Sequence, residues 1–350
     1  MKKALIGMSG GVDRSVAAWL TKEAGFACEG ATLRLHDFAC GGSDDVRDAA
    51  SVAQRIGIPH HCLCWEEVFA ENVIRPFVNA YEAGLTPNPC IQCNKHLKFG
   101  AMLHWALEQG FDYVVSGHYA QIRQDEISGR TLLYRALDIS KDQTYFLAGL
   151  NQHQLRHILF PLGKLTKAQV REIAEQRGFV TARKRDSQDI CFVPGGDYPG
   201  FLRQYTGKTY PQGNYLDLQG NVVGRHQGAV CYTRGQRKGL GLAMGAPVYV
   251  CAKDMQANTV TVGPNEALFS KSLRGKDWNW IPFENLTEPL AVTAKIRHSR
   301  LDIQATVYPE AEGFARVEFT DPQRAVTAGQ AVVLYQGGLV IGSGTITEAL

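Results

Sequence analysis

Three segments of the chain carry residue types able to do chemistry. The first is Gly7-Met8-Ser9-Gly10-Gly11-Val12-Asp13-Arg14-Ser15, at the end of the apolar run that starts at Lys3. A glycine pair between a strand and a helix lets backbone N–H groups point at an anion, and the helix N-terminus adds a favourable dipole. Ser9 adds a hydroxyl donor, and Asp13 can position a metal or cap the helix. The segment has neither the Gly-Lys-Ser/Thr of a Walker loop nor a Gly-x-Gly-x-x-Gly pattern. Read as a phosphate loop it takes ATP; read plainly it is a tight turn with a cap.

The second segment is Thr86-Pro87-Asn88-Pro89-Cys90-Ile91-Gln92-Cys93-Asn94-Lys95. Two prolines make an extended loop. Cys93 next to an expected helix start, with Lys95 close by, favours a thiolate. The Cys-x-x-Cys spacing also suits a metal or a redox disulfide, although a four-cysteine zinc site needs ligands from elsewhere. The third is Arg183-Lys184-Arg185-Asp186-Ser187-Gln188-Asp189-Ile190-Cys191-Phe192, where a basic stretch favours the thiolate of Cys191. Paired with an activated Cys93, Cys191 becomes a partner for thiol exchange.

The elements that must position these residues alternate. Lys3–Met8, Gly30–Leu35, His61–Trp65 and Phe111–Val115 read as strands. Ser15–Ala24, Asp44–Ile56, Glu66–Ala83, Lys95–Gln109 and Thr166–Arg177 read as helices. This rhythm predicts an α/β fold with a doubly wound parallel sheet, whose ligands bind beyond the carboxyl ends of the strands. After about Tyr198 glycine and turn signals become dense, and Ala246–Cys251, Thr259–Val262 and Ala331–Leu334 look like short strands. The expected division is 1–200 for the α/β domain, 201–270 for a small central β-rich domain and 271–350 for a C-terminal β-rich one.

The chain has 350 residues, 45% hydrophobic and 20% charged, and nine cysteines. That balance is globular, and no apolar run is long enough to span a membrane. Met1-Lys2-Lys3 and the apolar residues after it resemble the start of a signal peptide, but Ser9-Gly10-Gly11 ends the run; a buried first strand and a cytoplasmic location are expected. An odd cysteine count in such a protein argues against a disulfide framework. Cys62 and Cys64, beside His61, read as ordinary strand packing rather than metal ligands. Cys28, Cys40, Cys231 and Cys251 read as structural. The net charge is +3. Its distribution says more: Arg183-Lys184-Arg185, then Arg234 with Arg237 and Lys238, then Lys295 with Arg297 and Arg300, make a polyanion partner worth considering.

Taken together, the motifs resemble those of the bacterial tRNA-specific 2-thiouridylases (MnmA/TrmU type). Ser9–Asp13 is similar to their pyrophosphate loop, and Thr86–Pro89 with Cys93-Asn94-Lys95 to their nucleophile loop. Ser116–Ala120, Lys141–Leu147, Asp186-Ser187 with Ile190-Cys191-Phe192, Tyr232–Gly241 and Trp280-Ile281 also match, in order along nearly the whole chain. The resemblance implies an ATP-pyrophosphatase (adenine nucleotide alpha-hydrolase-like) catalytic domain and a C-terminal β-barrel-like tRNA-binding domain. It implies a tRNA-uridine 2-sulfurtransferase that adenylates the C2 oxygen of the wobble uridine. A persulfide on Cys191 then delivers sulfur, with Cys93 as nucleophile or as partner in a transient Cys93–Cys191 disulfide. By the same resemblance Gly7, Met8, Ser9, Gly10, Gly11, Val12, Asp13, Arg14, Leu33 and Gly117 line the ATP site. Asn88, Pro89, Cys90, Lys141, Asp142, Gln143, Arg297 and His298 touch tRNA. ATP with Mg²⁺, tRNAs for Glu, Gln and Lys, and a sulfur-donor protein such as a cysteine desulfurase are the implied cofactors and partners.

The chain departs from the family's usual residues at three places. Arg14 stands where Ser is usual, replacing a hydroxyl donor to phosphate with a guanidinium. His298 stands where Tyr is usual. Cys90 stands where many members carry Asp, so Cys90, Cys93 and Cys191 offer the three ligands of a [4Fe–4S] cluster as an alternative to the persulfide route. Two other readings stay open: a tRNA-binding protein impaired in catalysis, and an amide-forming synthetase of the same fold.

Overall fold

A computed structural model of the chain describes residues 1–35, 43–182, 190–298 and 301–350. It opens with β1 (Lys3–Met8), α1 (Val12–Glu23), β2 (Ala27–Arg34), α2 (Ser43–Ile56) and β3 (His60–Cys64). Helical segments then run over Glu66–Glu82 and Pro89–Glu108 before β4 (Tyr113–Val115). A hairpin of β5 (Ala120–Gln124) and β6 (Thr131–Arg135) precedes β7 (Ile158–Leu159) and the helix Lys167–Gln176. The strands β3-β2-β1-β4-β7 form one sheet with every pair parallel.

Strand β1 shows why the sheet is doubly wound. Ala4, Leu5 and Ile6 are all fully buried. Ala4 and Ile6 join the layer with Val12, Val16 and Ala17 of α1, whereas Leu5 joins the opposite layer with Phe99 and Leu103. A strand covered on both faces reads as a continuous apolar run, as this one does.

A second sheet holds β8 (Gly213–Leu216), β9 (Val222–His226), β10 (Tyr249–Asp254) and β11 (Thr259–Gly263), in the order β10-β11-β8-β9. The last part contains β12 (Phe269–Trp280), β13 (Leu290–Lys295), β14 (Ile303–Pro309), β15 (Ala315–Arg324), β16 (Ala331–Gln336) and β17 (Leu339–Ala349). They run β12-β15-β14-β13-β16-β17, and β12 pairs back onto β17, so the six close into an antiparallel barrel. Closure removes the free edges of the sheet.

Three features differ from the sequence reading. The hairpin β5–β6 was not expected, because its strands are short and half-exposed and carry little apolar alternation. It adds to the barrel rather than to the parallel sheet, through Leu339 opposite Tyr134 and a bond from Arg135 N to Gly338 O at 2.8 Å. Ile281, Val333, Tyr335 and Val340 of the barrel consequently share one core cluster with Leu5, Phe99 and Leu133. The strand expected at Ala246–Cys251 begins later, at Tyr249, beyond Pro247, which has no N–H to give a ladder. Cys62 and Cys64 are exposed rather than packed, because β3 is an edge strand. Cys28, Cys231 and Cys251 are buried as expected, and burial pushes all three thiols up; Cys40 lies outside the described residues.

Candidate active site

The phosphate loop sits at the carboxyl end of β1. Gly10 adopts φ +59°, the left-handed region that glycine tolerates. A Cβ there would lie 2.9 Å from the Asp45 carbonyl oxygen and 3.0 Å from the Asp48 Cβ, so α2 abuts the loop directly. Gly11 is the extended residue before α1, and Val12 begins the helix. Ser15 Oγ donates to Gly11 O at 3.0 Å and meets Thr181 Oγ1 at 3.0 Å, which ties the first turn down. Gly117 follows β4, and a Cβ on it would stand 2.8 Å from Arg14 N and from the Asp13 carbonyl carbon. Only glycine lets those two backbones meet. Gly7 lies on β1 opposite Ala31, and Leu33 packs near the end of β2 between two apolar clusters.

Asp13 does not cap the helix with its side chain. Its carboxylate accepts from Lys167 Nζ at 2.7 and 2.8 Å and from Tyr119 Oη at 2.8 Å. His118 is buried, and its Nδ1 shares a proton with Ser116 Oγ at 2.7 Å. Burial, then the cations of Lys98 and Arg14, hold its pKa well below the usual imidazole range. Sequence reasoning missed Lys167 and Lys98, since each lies in a helix with no local pattern of its own.

The second loop is built by capping. Asn88 Oδ1 accepts from Cys90 N at 3.1 Å and starts a helix at Pro89, earlier than the expected start near Cys93. The helix widens to π geometry over Cys93–Ala101. Such stretches are frequent at functional sites. The carbonyls of Lys95 and Phe99 are taken by Gln154 Nε2, at 2.8 Å each. Asn94 is buried, donating to Phe146 O and accepting from Lys98 Nζ, both at 3.1 Å. Cys90 is exposed, Cys93 buried and Cys191 half-buried. Cys93 and Cys191 belong to one apolar cluster with Leu35, Phe69 and Phe192. Among the described residues, no three His, Cys, Asp or Glu side chains gather to hold a metal ion. Arg183–Asp189, with the basic triplet and Asp186-Ser187, lies outside the described residues, as does Arg300.

The expected tRNA contacts fall into one neighbourhood. Asp142 is buried and accepts from Ala136 N at 3.0 Å and Thr144 Oγ1 at 2.6 Å. Gln143 Oε1 accepts from Tyr119 N at 3.0 Å, so both residues hold their own loop, while Lys141 beside them is half-buried. The ring of His298 packs on Phe146, with centroids 4.4 Å apart. Arg297 donates to Ala325 O at 3.0 Å and to Thr327 Oγ1 at 2.6 Å.

Comparison with known proteins matches residues 2–195 to a family model described as a tRNA methyl transferase HUP domain. Residues 199–264 match its PRC-barrel domain, and 270–346 an aminomethyltransferase beta-barrel domain. The tRNA-specific 2-thiouridylase MnmA of Acetivibrio thermocellus is 45% identical, over 99% of this chain and 99% of that protein. The protein of the same name from Clostridium perfringens is 46% identical, over 100% of this chain and 99% of its own. Among solved structures, a 4-thiouridine synthetase–RNA complex with bound ATP aligns at 16% identity, covering 59% of this chain and 50% of that one, with a TM-score of 0.36. On full-length identity to these relatives, the chain belongs to the tRNA-specific 2-thiouridylase MnmA family.

Proposed function

We propose that this protein is an ATP-dependent tRNA-uridine 2-sulfurtransferase acting at the wobble uridine. The carrying observation is that Cys93 and Cys191, distant in sequence, share one apolar cluster beside the carboxyl ends of the strands that present the phosphate loop. The C2 oxygen of the uridine attacks the α-phosphorus of ATP and pyrophosphate leaves. The terminal sulfur of a Cys191 persulfide attacks C2 and AMP leaves. The Cys93 thiolate then attacks the Cys191 sulfur, forming a Cys93–Cys191 disulfide and releasing the sulfur on C2 as the thiocarbonyl. The sulfane sulfur is reduced, the two thiols are oxidised, and a dithiol reductant resets the enzyme. A soft nucleophile and an activated carbonyl suit each other.

Gly7–Arg14, Leu33 and Gly117 take the ATP, with Arg14 on a phosphate. Mg²⁺ bound with the nucleotide would supply neutralisation of phosphate charge. Asn88, Cys90, Lys141, Arg297 and His298 face tRNA, while Asp142, Gln143 and the buried Pro89 position their loops. The basic groups of the barrel hold the tRNA backbone. Acceptor tRNAs for Glu, Gln and Lys, a cysteine desulfurase or sulfur-relay donor, a cytoplasmic location and the division 1–200, 201–270 and 271–350 complete the reading. The shared apolar cluster of Cys93 and Cys191 supports the persulfide route.

Cys93→Ser and Cys191→Ser test this. Each abolishes 2-thiouridine, read by mass spectrometry of digested tRNA, while tRNA-dependent pyrophosphate release persists. Thiolation retained in both variants overturns it, and is what an amide-forming synthetase or an inactive module with a redundant enzyme would give.

A further inference from the structure

The loop that carries Cys93 is held by the barrel. Both backbone polar groups of Thr86 end on one turn: Thr86 N donates to Ala328 O at 3.0 Å, and Thr86 O accepts from Gln330 Nε2 at 2.8 Å. Between them Gly329, at φ +88°, packs so closely that a Cβ would lie 2.8 Å from Leu85 Cβ and 2.9 Å from Thr86 N. The Thr86 hydroxyl is buried there without a hydrogen-bond partner. The turn is fixed to its own barrel by Gly329 N to Ile346 O and Ile346 N to Gln330 O, both 2.8 Å.

The other end of the turn meets the expected tRNA surface. Ala325 adopts φ +56°, a strained conformation for a residue with a Cβ. Arg297 bonds its carbonyl and the Thr327 hydroxyl, which itself donates to Ala325 O at 2.8 Å. A Cβ on Gly235, in the central domain, would lie 2.7 Å from the Ala325 Cβ.

From Thr86 to Cys93 the link is stiff. Pro87 and Pro89 fix two backbone angles, and Asn88 caps the helix that starts at Pro89. We infer that the turn Ala325–Gln330 sets the position of the Cys93 loop from the tRNA-facing side of the barrel, with Gln330 as a positioning residue for sulfur transfer. The inference rests on the proposed reaction. The adenylation loop makes none of these contacts, so Gln330 governs the sulfur step and leaves ATP cleavage alone.

The test separates the half-reactions in the full-length enzyme. Gln330→Met keeps the side-chain volume and removes the donor to Thr86 O. Thiolation turnover falls about 10-fold or more, as misplaced reacting groups do. tRNA-dependent pyrophosphate release and the KM for tRNA stay unchanged. Gln330→Lys, which restores a donor, recovers thiolation. Equal loss of both half-reactions, or thiolation at the wild-type rate in Gln330→Met, overturns the inference. Wild-type enzyme that releases pyrophosphate but never forms 2-thiouridine counts instead against the reaction itself.

Discussion

Lys167 Nζ reaches both carboxylate oxygens of Asp13, although 154 residues separate the two. The lysine side chain is 10% exposed and the aspartate 30%. Asp13 lies in the first turn of α1, and Lys167 neutralises its charge there. Lys167→Met leaves that carboxylate without its cation. Stability then falls by about 1–3 kcal/mol, below the loss for a fully buried pair because Asp13 is partly solvated. Urea denaturation reads the loss, and the KM for ATP rises with it. Lys167→Arg retains most of both.

Arg14 replaces the hydroxyl expected at the helix end of the loop. Arg14→Ser removes a charge-assisted bond to phosphate, and the KM for ATP rises about 10-fold, corresponding to about 1.4 kcal/mol. The same change removes one of the cations that depress His118, so the His118 imidazole resonance titrates at higher pH. Unchanged ATP kinetics with a shifted His118 would place Arg14 near the loop but off the phosphates.

His118 makes stability depend on pH. The unfolded imidazole titrates near 6.5, and the native one well below that. Its contribution is fully present above pH 6.5. Below it the unfolded state binds the extra proton, and stability is lost by up to about 1.4 kcal/mol per pH unit. His118→Asn flattens that part of the denaturation profile between pH 6.5 and 5.

Lys253 is half-buried on β10, and its Nζ is buried with no hydrogen-bond partner. Burial pulls its pKa down to about 8, with Cys231 opposing. A depressed lysine costs nothing above the unfolded value, where both states are neutral, and its full penalty is present below the native one. Lys253→Met should therefore raise stability at pH 7 by about 1–3 kcal/mol, and calorimetry at pH 7 and pH 10 should show the gain shrinking at the higher value.

What was legible in the sequence followed local physics. The parallel sheet announced itself through continuous apolar strands and glycine-stopped helices. The turn after β1 was visible because Gly10 takes a positive φ there. The tie between Lys167 and Asp13 was not, since a helix carries no mark of which distant carboxylate it will face. Nor was the inward turn of Asp142, fixed by Ala136 and Thr144. The exposed thiols of β3 were misjudged because strand order, not composition, decides which strand lies at an edge.

The hairpin β5–β6 also gives the molecule one melting behaviour. Leu5 and Leu133 share a core with Tyr335 and Val340, so neither the parallel sheet nor the barrel can lose its packing alone. Heating then produces a single endotherm for these two parts, and a chain cut before the barrel exposes the apolar face that Tyr335 and Val340 cover. The parallel-sheet half therefore cannot be supplied as a separate polypeptide without baring that face.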